Sequence, residues 1–124
     1  MKSIITSLFF SIMLISTTIA KPVQCFLSID GITYINKICD GVFEHDGSFT
    51  LGIDNTPTGT GHRNKYFVYM GHNNDGTMDG YWNGVAAESH AQDPLGTLKQ
   101  SGACWVNDKT RVCAWKVGEA QNDR

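Results

Sequence analysis

Short runs of β-branched and aromatic residues alternate with glycine-containing turns along most of the chain. Asp-Gly begins at residues 30, 40, 46, 75 and 79, and Asn-Gly at residue 83. These dipeptides tolerate the positive φ angles that tight hairpin turns require. Between the turns, seven segments have the composition of β-strands: residues 25–29, 32–38, 48–53, 65–70, 78–82, 103–106 and 111–117.

This alternation predicts a mainly β domain, a small antiparallel sandwich or barrel of about seven strands. Helical signal is confined to residues 85–92, where at most one short helix is expected before Pro94. Residues 54–64 contain Thr-Pro-Thr-Gly-Thr-Gly and are expected to form a loop. No internal repeat is evident, so the pattern indicates one domain.

The first twenty residues have the features of a secretory signal peptide. Lys2 supplies the positive charge, residues 4–15 are mainly apolar, and Thr18 and Ala20 occupy the small-residue positions before a cleavage point. We therefore expect residues 1–20 to be a signal peptide and residues 21–124 to be a single domain, periplasmic or secreted. The alternative is an uncleaved membrane anchor, although hydroxyl side chains interrupt the apolar stretch.

The charge and the later hydropathy limit the kinds of partner. The formal net charge of the whole chain is −2, which argues against a basic face for nucleic acid. No stretch after the first twenty residues approaches the length of a membrane span. We expect a protein or glycan partner in the envelope or outside the cell, no nucleic-acid partner, and no membrane span after signal cleavage.

Four cysteines in an exported chain favour two disulfides, for which three pairings exist. A hairpin turn at residues 107–110 places Cys104 opposite Cys113, close enough to bridge. A two-residue turn at Asp30-Gly31 places Cys25 opposite residue 36, so a bridge to Cys39 needs a bulge or a short extension. We predict these two local pairs. A zinc site is the alternative, but no C-x-x-C pair is present.

The residues that carry catalytic or metal chemistry elsewhere form no motif here. The four histidines lack helical metal-site spacing, and no Gly-x-Ser-x-Gly occurs. We therefore predict no catalytic residue, no metal and no cofactor. Two alternatives stay open: a small hydrolase of envelope glycan or peptide using His90 with Glu88 or an aspartate, and a calcium loop at residues 73–80, where oxygen side chains alternate. The histidines are His45, His62, His72 and His90.

Aromatic residues give the stronger functional indication, because Tyr and Trp dominate binding surfaces. We predict a recognition surface that combines residues 54–64 and 72–75 with a strand end. The hairpin containing Trp105 and Trp115 is expected to place both rings on one face, as one buried cluster. The candidate binding residues are Tyr81, Trp82, Asn83, His72, Asp75 and His90.

Four motifs are distributed along the chain: Cys-x-x-x-Ile-Asp-Gly, Gly-Tyr-Trp-Asn-Gly, Ala-Cys-Trp and Val-Cys-Ala-Trp. Together they resemble small exported bacterial proteins of uncharacterised function, over most of residues 25–116. The resemblance implies export but brings no activity and no catalytic residue. In size, export and disulfide use the chain is also similar to bacterial lysozyme inhibitors of the envelope, without their inhibitory motifs. An exported binding protein, with inhibition as one version, is the expectation; a structural envelope component is the other non-enzymatic alternative.

Overall fold

The computed structural model describes residues 18–57, 59, 61–84 and 90–119. Each strand pairs antiparallel with the next along the chain, and the last pairs with the first, so the sheet closes into a barrel. The predicted mainly β class is therefore confirmed. The strands are β1 (Lys21–Ile29), β2 (Ile32–Phe43), β3 (Phe49–Ile53), β4 (Arg63–His72), β5 (Met78–Trp82), β6 (Asp93–Ser101), β7 (Cys104–Val106) and β8 (Thr110–Lys116).

Strand β6 is the one strand that the sequence pattern did not predict. Its two buried side chains, Leu95 and Leu98, are three residues apart, which breaks the alternation of a regular strand. The register explains the spacing, because Gly80 pairs with Gly96 while Tyr81 pairs with Pro94. Leu95 is thus the extra residue of a bulge, and Gly96 adopts a φ of 83° there.

No helix occurs among the described residues, which include residues 90–92 of the expected short helix. Residues 85–89, the rest of that segment, lie outside the described residues. The expected loop at residues 54–64 is confirmed for the described part of 54–62, and β4 begins at Arg63.

The barrel interior is filled by alternate side chains of the strands. Thirteen buried residues form the main cluster, and four of them (Leu27, Leu51, Met70 and Leu98) are among its largest fully buried side chains. Leucine and methionine therefore supply the largest fully buried side chains, while aromatic side chains other than Phe49 pack against the cluster as partly buried neighbours. This closed core is what positions the two ends of the barrel and their loops.

The β1–β2 hairpin shows how the first disulfide forms. Asp30 and Gly31 make the two-residue turn with φ angles of 52° and 79°, as the Asp-Gly pattern predicts. Because Leu27 pairs with Ile35 while Ser28 pairs with Thr33, Tyr34 is an extra residue in β2. This bulge shifts the register by one residue, so Cys25 pairs with Lys37. The Cys25–Cys39 bridge then joins diagonal positions 5.9 Å apart between Cα atoms, and the predicted pairing is confirmed.

The β7–β8 hairpin has the predicted register, with Cys104 opposite Cys113 and Val106 opposite Arg111. The Cys104–Cys113 bridge is formed. It lies on the outer face of the barrel wall, since the neighbours of Cys113 along β8, Val112 and Ala114, pack on the interior cluster. Together with Phe26 and Trp115, the bridge makes a second, smaller buried cluster.

The expectation that Trp105 and Trp115 share one face is wrong. Trp115 lies two residues from Cys113, so both point to the outer face, where Trp115 packs at 6.4 Å from Phe26 between ring centroids. Trp105 is adjacent to Cys104 and therefore points inward, where it packs on the main cluster. The two indoles thus pack on opposite faces of the sheet, Trp105 on the inner face and Trp115 on the outer face.

Two disulfides are consistent with an oxidising compartment, periplasmic or extracellular. Within the described residues, no helix has the length and apolar character needed to cross a bilayer. Residues 1–17 lie outside the described part, so the signal peptide and the boundary after residue 20 stay predictions.

Removing either disulfide pair is expected to lower the free energy of unfolding by about 3 kcal/mol, because each bridge restricts the unfolded chain. The loops span 14 and 9 residues, so the chain-entropy model places the two losses within about 0.5 kcal/mol of each other. Urea denaturation of C25A/C39A and C104A/C113A measures both. An unchanged unfolding free energy in either double variant contradicts that bridge's stabilising role.

Candidate functional site

The predicted recognition residues are distributed over both ends of the barrel. Because the strands alternate in direction, the upper end has residues 30–31, the described residues of 54–62, residues 83–84 and 90–92, and residues 107–109. The lower end has residues 44–48, 73–77 and 102–103. The structure therefore separates the candidates. Tyr81, Trp82, Asn83 and His90 belong to the upper half, whereas His72 and Asp75 belong to the lower end.

Tyr81 and Trp82 point to opposite faces of β5. Trp82 points inward and packs against the main cluster. Tyr81 is exposed on the outer face, directly opposite Tyr69 of β4, which is exposed as well. The Tyr-Trp pair therefore does not present two rings to one ligand.

Asn83 is buried and holds the upper end of β4 in place. Its side-chain Oδ1 accepts a hydrogen bond from the Phe67 N–H at 3.1 Å, and its Nδ2 donates to the Lys65 carbonyl at 2.8 Å. The amide thus continues the hydrogen bonding between β4 and β5 beyond the last residue of β5. This side chain serves the fold.

Replacing Asn83 with alanine is expected to lower the free energy of unfolding by about 2 kcal/mol, since the buried Phe67 N–H and the Lys65 carbonyl both lose their partner. The neighbouring exposed substitution Y81A is the control and is expected to change it by no more than about 0.5 kcal/mol. Urea denaturation of the two variants measures the difference. Equal effects at the two positions are incompatible with the structural role of Asn83.

The acidic turn at residues 73–79 is closed by its own hydrogen bonds. Asp75 Oδ1 accepts from the Thr77 hydroxyl at 2.6 Å and from the Thr77 N–H at 3.0 Å. Asn73 Nδ2 donates to Thr77 Oγ1 and to Asp79 Oδ1, and Asp79 also accepts from Thr97. The oxygen side chains that suggested a calcium loop are therefore engaged within a hairpin turn. Among the described residues, no group of three or more His, Cys, Asp or Glu side chains is arranged to hold a metal ion.

Hydrogen bonding lowers the pKa of two lower-end carboxyl groups. For Asp75 the Thr77 hydroxyl contributes most and the Thr77 N–H next; for Asp46 the largest cause is the Ser48 N–H, at 2.8 Å. His72 adds a smaller electrostatic contribution to both. These interactions order the two turns of the lower end.

A carboxyl whose folded pKa is lowered stabilises the fold above its unfolded pKa and loses that contribution as the pH falls through the folded value. We therefore expect the Asp46 and Asp75 contributions to be complete above about pH 4 and to disappear below it. Carboxyl ¹³C NMR titration measures both pKa values. Thr77→Val removes the hydroxyl and is expected to raise the pKa of Asp75 while leaving Asp46 unaffected; an unchanged Asp75 titration contradicts the assignment.

The histidines do not converge. His45 and His72 lie at the lower end, while His62 and His90 belong to loops of the upper end. His62 Nδ1 lies 3.7 Å from Asp40 Oδ2. His90 is exposed, and its suggested partner Glu88 lies outside the described residues.

A slot between β2 and β4 collects side chains that the sequence patterns did not single out. Strand β3 has only five residues, and its register jumps from Leu51 opposite Val68 to Ile53 opposite Arg63. Residues 64–67 of β4 therefore have no partner in β3. The resulting slot has a volume of about 260 Å³ and is lined by Tyr34, Ile35, Asn36, Lys37, Asn64, Lys65 and Tyr66.

Glycine is required where β3 passes β4 beside this slot. Gly52 has a φ of 92°, and a Cβ placed on it would lie 2.9 Å from the Tyr66 carbonyl oxygen. A larger residue would need both an unfavourable backbone conformation and a displaced β4. The shape of the slot thus depends on this close approach.

Two tyrosine rings line the slot, and a tryptophan ring packs behind them. Tyr34 and Tyr66 line the slot and pack edge to face, with centroids 5.3 Å apart. Trp82 packs against both, at 4.5 Å from Tyr34 and 5.8 Å from Tyr66. Trp82 thus belongs to the site as a support for two tyrosines that can contact a ligand.

The polar side chains of the slot include an unused donor. Asn64 Nδ2 is buried and has no hydrogen-bond partner among the described residues. Buried polar groups are nearly always hydrogen-bonded, and an unsatisfied one costs about 1–3 kcal/mol. Lys37 and Lys65 line the same slot, and within the described ranges neither forms an ion pair with a carboxylate.

A second cavity opens at the lower end, with a volume of about 330 Å³. It is larger, but its lining is mostly apolar. Apart from the indole of Trp105, its one polar side chain is Gln100. The stacked rings of Phe43 and Phe49, 5.5 Å apart, contribute to it and also pack with the barrel core.

The sequence does carry a signal for the slot. The dipeptide Asn-Lys occurs at residues 36–37, two residues after Tyr34, and again at 64–65, directly before Tyr66. Its meaning depends on the fold, because β2 and β4 face each other only where β3 is too short to separate them. The sequence pattern predicts strands at residues 36–37 and 65 but a loop at Asn64.

Comparison with models of known protein families, with curated protein sequences and with solved structures gives no match to this chain. The geometry of the slot is therefore the basis for the functional argument.

Proposed function

We propose that this chain is an exported small binding protein and that the slot between β2 and β4 is its ligand-contacting site. The observation that carries the proposal is the buried Nδ2 donor of Asn64, for which no described residue supplies a hydrogen-bond acceptor. A ligand acceptor placed in the slot would satisfy this group. The unsatisfied donor destabilises the free protein, so a ligand that supplies the missing acceptor gains binding free energy.

The surrounding side chains favour recognition. Tyr34 and Tyr66 offer large ring surfaces with few rotatable bonds, which is economical for binding. Trp82 and the buried Asn83 restrain these tyrosines and the adjacent backbone of β4. A site on restrained strands loses little conformational freedom when a ligand binds.

The lower cavity is the less suitable binding site, although it is larger. Ligand sites combine apolar walls with a few placed polar groups that fix orientation. The slot has such groups, while the lower cavity has one flexible amide, that of Gln100. The two cavities therefore provide matched positions for one experiment.

Substitution of Asn64 by leucine, which has a similar shape, separates binding from folding. Because the donor is unsatisfied in the free protein, N64L is expected to leave the free energy of unfolding unchanged or to raise it by up to about 1 kcal/mol. Retention of bacterial-envelope proteins and glycans on the immobilised variant is expected to fall about tenfold, the equivalent of one lost hydrogen bond. Quantitative mass spectrometry of the retained material measures this change.

Gln100→Leu is the matched control, since it makes the same kind of change in the lower cavity. It is expected to retain the material that the wild type retains. Loss of capture in Q100L but not in N64L would place the site at the lower end. Identical retention by all three proteins would contradict the proposal.

The competing hydrolase interpretation is tested with the same proteins. Incubation with peptidoglycan fragments, followed by chromatography, detects turnover. Turnover by the wild type that is lost in H90A would favour the enzyme over the binding protein. A purely structural component predicts neither selective retention nor turnover.

A further inference from the structure

Two exposed tyrosines lie side by side on the outer face of the barrel wall. Tyr69 of β4 is directly opposite Tyr81 of β5, and the two residues are 42% and 37% exposed. The Tyr69 ring extends along its own strand over Gly71, because a Cβ placed on Gly71 would lie 3.3 Å from a ring carbon of Tyr69 and 3.8 Å from its hydroxyl oxygen. Gly71 pairs with Asp79. The Tyr69 ring therefore reaches the level of Asp79, two residues before Tyr81 on the same face of β5.

A hollow lies beside Tyr81 on the side of β6. It has a volume of about 200 Å³ and is lined by Asp79, Gly80, Tyr81, Pro94, Gly96 and Thr97. The bulge in β6 widens this part of the face, since Leu95 points into the core and Gly96 has no side chain. Pro94 and Thr97 are therefore separated by two residues that place no side chain on the outer face. The open space between them accommodates one small ring.

The side-chain oxygens of Asp79 and Thr97 at the hollow are arranged to accept hydrogen bonds. Asp79 Oδ1 accepts from Asn73 Nδ2 at 3.1 Å and from the Thr97 hydroxyl at 2.7 Å. Among the described residues, no group donates to Asp79 Oδ2. Because the Thr97 hydroxyl directs its proton to Asp79, its remaining lone pair is available to accept. A ligand of the hollow must therefore supply hydrogen-bond donors.

A sugar of glucose configuration matches both the tyrosine rings and the acceptors. Its ring substituents are equatorial, so each face is a flat set of C–H groups that can stack on an aromatic ring, while its hydroxyl groups point outward as donors. Residues directly opposite in an antiparallel pair have Cβ atoms about 5 Å apart. Two tyrosines at this spacing can contact successive rings of a β-linked oligosaccharide. A neutral sugar is favoured over an acidic one, because Asp79 lies at the hollow and no lysine or arginine lines it.

We propose that this outer face of β4, β5 and β6 is a second binding site, separate from the slot, and that it binds a neutral β-linked oligosaccharide of glucose configuration. One sugar ring occupies the hollow, contacts Tyr81 and donates hydroxyl hydrogen bonds to Asp79 and Thr97. The next sugar ring lies on Tyr69. The hollow is open to solvent and buries little of a ligand, so we expect a dissociation constant of about 1 mM. Binding this weak does not retain a glycan on the immobilised protein, so the capture experiment at the slot is unaffected.

NMR titration of the ¹⁵N-labelled protein with N-acetylglucosamine and with its β-1,4-linked trimer tests this inference. Both sugars are expected to shift the backbone amide signals of Gly80, Gly96 and Thr97, and the trimer is expected to shift that of Tyr69 as well. The trimer is expected to bind about tenfold more tightly than the single sugar, because it also contacts the second tyrosine.

Variants separate the two tyrosines and the carboxylate. Y81A is expected to weaken trimer binding about tenfold, and Y69A is expected to reduce the trimer to the affinity of the single sugar. D79N keeps an acceptor for Thr97 but loses the charge, and is expected to weaken both sugars severalfold. I38A, which truncates an exposed apolar residue of β2, is the matched control and is expected to bind both sugars as the wild type does.

Three outcomes overturn the inference: no shift at the hollow with either sugar, equal affinity for the single sugar and the trimer, or unchanged trimer binding in Y81A. Ethylguanidinium is a third probe, and a shift of the same amides by it without any response to the sugars would assign this face to basic side chains. The slot variant N64L is expected to bind the trimer as the wild type does. Loss of trimer binding in N64L would move the sugar to the slot and contradict a second site, whereas trimer binding that persists while N64L loses its envelope partners supports both sites.

Discussion

The barrel depends on β1, which pairs with β2 on one edge and with β8 on the other. Both disulfides are tied to this strand. Cys25 forms one from the inner face, and Phe26, the next residue, packs with the other on the outer face. Because neighbouring residues of a strand point to opposite faces, a single strand supports the core and the outer cluster together. Closure thus joins two local hairpins into one sheet without an open terminal strand.

The bulge in β2 connects this scaffold with the slot. Tyr34 is the extra residue, and its insertion moves Cys39 to a position diagonal to Cys25. The same insertion turns the Tyr34 ring toward Trp82 and Tyr66. On the other side of the slot, Gly52 permits the irregular pairing that leaves residues 64–67 without a β3 partner. Two backbone irregularities, one covalently secured and one dependent on glycine, therefore define the site.

Local patterns predicted the fold class and both disulfides, because turn chemistry and alternation are properties of neighbouring residues. They failed at β6, where the Leu95 bulge breaks the alternation, and at Trp115, whose face follows from its two-residue distance to Cys113. The slot was beyond such patterns for another reason. Asn36-Lys37 and Asn64-Lys65 become one site only through the lengths of three strands and the curvature of a closed sheet. Likewise, Asn83 looks like a turn residue in the sequence, and only the two hydrogen bonds of its buried side chain reveal its role.

The slot costs the free protein stability. A buried donor without a hydrogen-bond partner, such as Asn64 Nδ2 among the described residues, weakens a fold. A small domain has a modest core with which to offset such costs, and covalent bridges extend what it can tolerate. One disulfide links β1 to β2 and the other links β7 to β8. The bridged strands thus include β2, which forms one side of the slot, and β1 and β8, which follow it around the barrel. The β4 side has no covalent bridge and is held by the Asn83 hydrogen bonds and by the packing of Tyr66 against Trp82. Adjustment of the slot to a ligand should therefore occur in residues 64–67, where no bridge restrains the backbone and the unused donor lies.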